Sequence, residues 1–143
     1  MPHQRVHTPE MTRRYTLLAI TMVACLAFAG CSSSPSAEKV VAATAKLYYE
    51  DLLKGSYDDF VAGIDNRYAS SGAYREQLRD NAKMFVARQQ TLHQGIERIE
   101  VVDAVLDEKE HSANVFLVFC YSDSTNEQVV VPMVERDGIW LMR

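Results

Sequence analysis

The 143-residue sequence has few cysteines, three in all, at positions 25, 31 and 120. It has no cluster of lysine and arginine, and its formal net charge is −4. Nucleic-acid binding needs a positive footprint, so that class is excluded, as is electrostatic adhesion to anionic lipid. Long apolar runs are also missing. The longest mainly apolar run without charge is the fourteen residues 17–30, LLAITMVACLAFAG. As a helix it would measure about 21 Å against a hydrocarbon core of about 30 Å, too short to span comfortably. No catalytic or cofactor motif stands anywhere in the chain, so no cofactor or metal is expected and no reaction can be named from it.

What is present begins with that stretch. Its length suits the apolar core of a secretory signal, and Arg13 and Arg14 supply the positive segment before it. Phe28-Ala29-Gly30-Cys31 then resembles the lipobox of bacterial lipoproteins, with Phe28 where leucine is usual. The resemblance implies cleavage after Gly30 and lipidation of Cys31 as the new N-terminus. Thr12-Arg13-Arg14 hints at a twin-arginine signal, but Thr16 stands where that class prefers an aromatic, so general secretion is expected. Met11 offers an alternative start to Met1. The domains expected are a signal at 1–30, a lipidated Ser/Pro tether at 31–37 and a folded domain at 38–143.

The mature chain would hold 113 residues, enough for one modest core. It carries 12 basic against 18 acidic residues, net −6, because Arg5, Arg13, Arg14 and Glu10 leave with the signal. Cys25 would leave too, and Cys31 would be acylated. Only Cys120 remains, so no intrachain disulfide is expected and packing alone must hold the fold. Ser32 replaces the aspartate that in many enteric lipoproteins signals inner-membrane retention. The resemblance therefore implies an envelope protein, lipid-anchored in the outer membrane and facing the periplasm.

From Ala37 apolar residues recur at three- and four-residue spacing: Val40, Val41, Thr44, Leu47, Tyr48 and Leu52, with Gly55 as the stop. Ser56 opens a short second helix with Asp58 and Asp59 in its first turn, at the positive end of the dipole. Tyr57, Phe60, Val61 and Ile64 form its apolar face. A third helix is predicted over 73–93, with Tyr74, Leu78, Ala82, Phe85 and Leu92 on one stripe and Gly95 ending it. The period then becomes two, predicting strands at 96–106, 114–121, 128–135 and 139–142. Asp137-Gly138 is a hairpin signal, and Pro132 suits an edge or a bulge. The order is α+β: three helices, then an antiparallel sheet.

Taken together, VVAATAKLYYEDLLKGSYDDFVAGI, the long helix, GIERIEVVDAVLDE, ANVFLVFCYSD and VVVPMVERDGIWLMR resemble small bacterial envelope lipoproteins of the nuclear transport factor 2-like superfamily. These include lumazine-binding-like domains of unknown function. The likeness covers residues 38–143 and is most specific at Gly55-Ser56-Tyr57 and at the closing Asp137–Trp140 hairpin. It implies a curved sheet wrapped around a long helix, a cone able to hold a small molecule. It implies no reaction.

Candidate lining residues for such a cone are Tyr48, Phe85 and Asp103, the last an acid interrupting an apolar strand; Tyr49 beside Tyr48 could line it too, although aromatic residues at helical spacing usually fill a core. His93 at a helix end would complement the dipole, and Cys120 in mid-strand would be a buried structural thiol. Residues 107–111, DEKEH, read as a solvated turn with no metal-ligand spacing. The expected function is a non-catalytic binding module for a small molecule or an envelope protein. The alternative is a small isomerase or hydrolase using Asp103 with a tyrosine or His93. Residues 115–121 are apolar on both alternating faces, as is much of 129–134. Both faces of that strand should therefore be covered, yet three helices can cover only one. A homodimer or a docked partner is expected on the other, and members of the superfamily often pair that way.

Overall fold

The computed structural model describes residues 35–67 and 71–143. Gly30 and Cys31, and with them the signal and lipidation readings, lie outside the described residues. Pro35–Arg143 forms a compact unit with its own core.

Helix α1 (Ala37–Leu53) buries Val41, Ala42, Ala45 and Leu52, spaced as one face of a 3.6-residue period. Helix α2 (Tyr57–Ala62) carries Asp58 and Asp59 in its first turn. Helix α3 (Gly72–His93) is capped by Ser71, whose hydroxyl accepts from the Tyr74 N–H at 3.3 Å. The sheet is an antiparallel meander in the order β1 (Ile96–Asp107), β2 (Ser112–Tyr121), β3 (Asn126–Arg136), β4 (Ile139–Met142). At the last turn, Asp137 and Gly138 both have positive φ, 51° and 79°, as a two-residue primed hairpin requires.

The two faces of the sheet differ sharply. Val115, Leu117, Phe119 and Tyr121 of β2 are each at most 3 % exposed and join Val131, Met133, Trp140 and Met142 in the core beneath α1. The opposite alternation leaves Phe116 and Val118 half-buried, with Val105, Val130 and Ile139 exposed around them. Within this chain β2 is covered on one face only, because all three helices lie on the same side. On the outer face only Cys120 and Val134 are buried.

Pro132 sits neither at a bulge nor on an outer strand. It pairs with Asn114, while its carbonyl accepts from the Arg143 N–H at 2.9 Å. Its missing N–H thus faces Arg143, at the end where the four-residue β4 runs out. The chain leaving α2 closes against β4: Met142 N–H donates to the Gly63 carbonyl at 2.8 Å, and Asp65 N–H donates to the Met142 carbonyl at 2.7 Å.

Candidate functional site

Helix α1 lies along all four strands, whereas α3 approaches the sheet mainly at β1 and rests on α2. Between α3 and the sheet lies a cleft of about 320 Å³. Leu78, Asn81, Ala82 and Phe85 of α3 form one wall, and Phe119 and Val129 the other. Tyr49 and Leu52 of α1, with Phe60 and Ile64, close the end. A chain of aromatic contacts frames it. Tyr49 meets Phe60 edge-on at 5.7 Å between ring centres and Phe119 at 5.3 Å, and Phe119 meets Phe85 edge-on at 6.4 Å. No charged residue, serine, threonine or cysteine is among those lining residues.

Of the three expected lining residues, Phe85 lines this cleft. Tyr48 does not. Its ring packs where a Cβ on Gly63 would come within 2.5 Å, and its hydroxyl donates to the Trp140 carbonyl at 2.9 Å, a strut between α1 and β4. Its sequence neighbour Tyr49 lines the cleft instead. Burial raises the Tyr49 phenol above its ordinary pKa, so it stays a neutral donor at physiological pH.

Asp103 is placed on the other face of the sheet, opposite Phe116, exposed, with its carboxylate accepting from the Ala104 N–H at 2.8 Å. The cause is a bulge between Val101 and Asp103. Val102 is the extra residue, and beyond it the alternation is inverted. Ala104 and Leu106 turn to the core, and Asp103 and Val105 turn outward.

His93 stands outside the cleft lining, in a polar cluster at the end of α3. Its Nδ1 lies 2.9 Å from Asp123 Oδ2 and its ring stacks on Tyr121 at 4.2 Å. Asp123 also accepts from the Thr125 hydroxyl at 2.5 Å and the Thr125 N–H at 2.9 Å. Those bonds, with His93 after them, hold its carboxyl down to about 2. The Tyr121 hydroxyl donates to Glu127 at 2.5 Å, and burial first, then that carboxylate, pushes its pKa far up. Backbone bonds run alongside: Asp123 N–H donates to the His93 carbonyl and Ser122 N–H to the Gly95 carbonyl. The cluster fastens the end of α3 to the β2–β3 turn.

Cys120 is 3 % exposed, on the outer face opposite Arg98. Among the described residues no group of histidine, cysteine, aspartate and glutamate could hold a metal ion, and no helix is long and apolar enough to cross a membrane.

No family model matches the sequence, and no curated protein is significantly similar to it. Among solved structures, a Campylobacter jejuni protein described as an NTF2-like transpeptidase superposes with a TM-score of 0.57 at 19 % identity. The match covers 68 % of this chain and 92 % of that one. The chain has an NTF2-like fold. The likeness carries the architecture of helices on an antiparallel sheet, and the chemistry has to be argued from the cleft itself.

Periodicity alone does not choose between Tyr48 and Tyr49, and it misses Asn81 among the lining residues. Adjacent tyrosines stand about 100° apart on a helix, so which of them meets a cavity depends on tertiary placement. Asn81 precedes Ala82 on the inward stripe of α3 and carries no apolar signal.

Proposed function

We propose that this chain is an envelope lipoprotein whose folded domain holds a small, mainly apolar molecule in the cleft between α3 and the sheet, without transforming it. The observation that carries the reading is the lining, which among the described residues is four aromatic rings, five aliphatic side chains and Asn81, with no carboxylate, histidine, lysine, serine or cysteine. Catalysis needs at least two polar groups converging on a reacting atom. Asp103 is on the opposite face, and His93 is paired with Asp123 away from the cleft. The Asp103 and His93 of the isomerase or hydrolase reading therefore do not meet in this cleft. Nor does a transpeptidase step, which needs a nucleophile, find one in this lining.

Binding is tested by titrating the full chain with naphthalene, followed through its own fluorescence. Saturable binding that is lost when Ala82, 5 % exposed in the wall, is changed to Trp supports the reading. Binding that survives a folded Ala82→Trp variant contradicts it. The anchor is a separate part of the proposal: Cys31 carries the lipid, Gly30 precedes the cut, and the domain faces the periplasm from the outer membrane. Fatty-acid labelling should vanish in Cys31→Ala while the uncut precursor accumulates. Label retained in that variant overturns it.

The outer face of the sheet supports a proposed second contact, with another copy of the chain. Val105, Val130 and Ile139 are all more than half exposed there, flanking Phe116 and Val118. An apolar face of this kind on a sheet is a common site of association. Light scattering of the full chain at tens of micromolar tests it: a dimer that Val130→Lys converts to monomer is expected. A monomeric wild type contradicts it.

A further inference from the structure

Two polar side chains narrow what the cleft can hold, provided that it is a binding site as proposed above. Among the described residues Tyr49 and Asn81 are the lining residues with polar side-chain atoms, and neither makes a side-chain hydrogen bond to another of them. Tyr48, one position away, shows the contrast, its hydroxyl bonded to the Trp140 carbonyl. The Tyr49 hydroxyl is therefore left to bond water or a ligand that takes its place. Asn81, on the exposed side of the wall, offers both a donor and an acceptor. No described lining residue carries a charge, so an anion or cation entering here would lose water with no counter-ion among them to replace it. The volume of 320 Å³ corresponds to about ten water-sized groups at roughly 30 Å³ each. That suits a bicyclic molecule. Rings tilted at 52–68° to one another present both faces and edges to a flat guest.

We infer that the ligand is a neutral, flat, mainly apolar molecule carrying one uncharged hydrogen-bonding group, which Tyr49 Oη meets inside the cleft while Asn81 serves it at the mouth. The neutral state of Tyr49 fits this role, since a phenol donates and accepts where a phenolate would only accept.

Three probes of nearly equal size separate the terms: naphthalene, 2-naphthol and 2-naphthoate, titrated into the full chain and into Tyr49→Phe. The wild type should bind 2-naphthol about fivefold more tightly than naphthalene. It should bind 2-naphthoate at least about tenfold more weakly than 2-naphthol. Tyr49→Phe keeps the ring contacts, so naphthalene affinity should hold within about twofold while the naphthol advantage disappears. If that variant fails to fold, Asn81→Ala at its exposed position should at least halve the naphthol advantage. Naphthalene and 2-naphthol bound equally well, an advantage that persists in both variants, or 2-naphthoate bound as tightly as 2-naphthol, would each overturn this inference and leave the cleft a site for apolar ligands. If none of the three probes binds, the inference and the proposed function fall together.

Discussion

Helices α1 and α3 flank the same sheet, yet they relate to it in opposite ways. The 17-residue α1 buries four side chains and ties itself to β4 through the Tyr48 hydroxyl. The 22-residue α3 buries only Ala82, and leaves Met84 and Leu92 65 % and 56 % exposed. The longer helix thus contributes less to the core. It is held at its ends, by α2 and by the His93–Asp123 cluster, and between them it stands as the wall of a cleft. One helix makes the fold and the other makes the space that the fold offers.

Substitutions at matched apolar positions should break that symmetry most strongly. Leu52→Ala in α1, at 1 % exposure, should cost about 3 kcal/mol. Leu92→Ala in α3 should stay within about 0.5 kcal/mol. Urea denaturation of both variants measures the difference, and equal losses would erase the distinction between the helices.

The strut of α1 gives the next effect. A methyl group at Gly63 would come within 2.5 Å of the Tyr48 ring, so Gly63→Ala should cost about 2 kcal/mol. Tyr48→Ala should relieve most of that penalty in a double-mutant cycle, because the clash is with that ring. Additive losses would show that the crowding lies elsewhere.

Gly138→Val acts away from both helices. Open space surrounds the position, but φ of 79° strains any branched side chain, and about 1 kcal/mol or more should be lost. A change below about 0.3 kcal/mol would count against the hairpin's role in setting β4 beneath α1.

The smallest effect is expected in acid, at the clamp on α3. Asp123 titrates at about 2, below its ordinary 3.8, held there by Thr125 first and then by His93. A depressed carboxylate stabilises the fold above its unfolded pKa, and that contribution fades as pH falls through the folded value. Melting temperature should therefore drop slightly more between pH 4 and pH 2 in the wild type than in Asp123→Asn. Identical acid profiles would remove Asp123 from the clamp.

Much of this architecture was legible in the chain because its signals are local. The Asp137-Gly138 hairpin, the acids at the start of α2 and the alternation of β2 each depend on neighbours within a few residues. The site was less legible, for reasons that differ residue by residue. Strict alternation from Ile99 would turn Asp103 to the core, and a single extra residue, Val102, reverses it. Leu92 falls near the stripe of Leu78, Ala82 and Phe85. By the last turn, however, the inward positions have drifted to Val86, Gln89 and His93, and the His93 ring takes the contact with Tyr121. Phe85 was found because an aromatic on a helix's apolar stripe faces inward whether it fills a core or lines a cleft. The pattern does not separate Tyr49 from Tyr48, since only the packing of Tyr48 against Gly63 divides their roles.

Hydrogen exchange of the full chain, followed by mass spectrometry with and without saturating 2-naphthol, tests the division between the two helices most directly. The α3 amides should exchange at least about tenfold faster than those of α1 in the free protein, and the ligand should slow α3 while leaving α1 nearly unchanged. An α3 already as protected as α1, or ligand protection confined to other segments, would contradict the account.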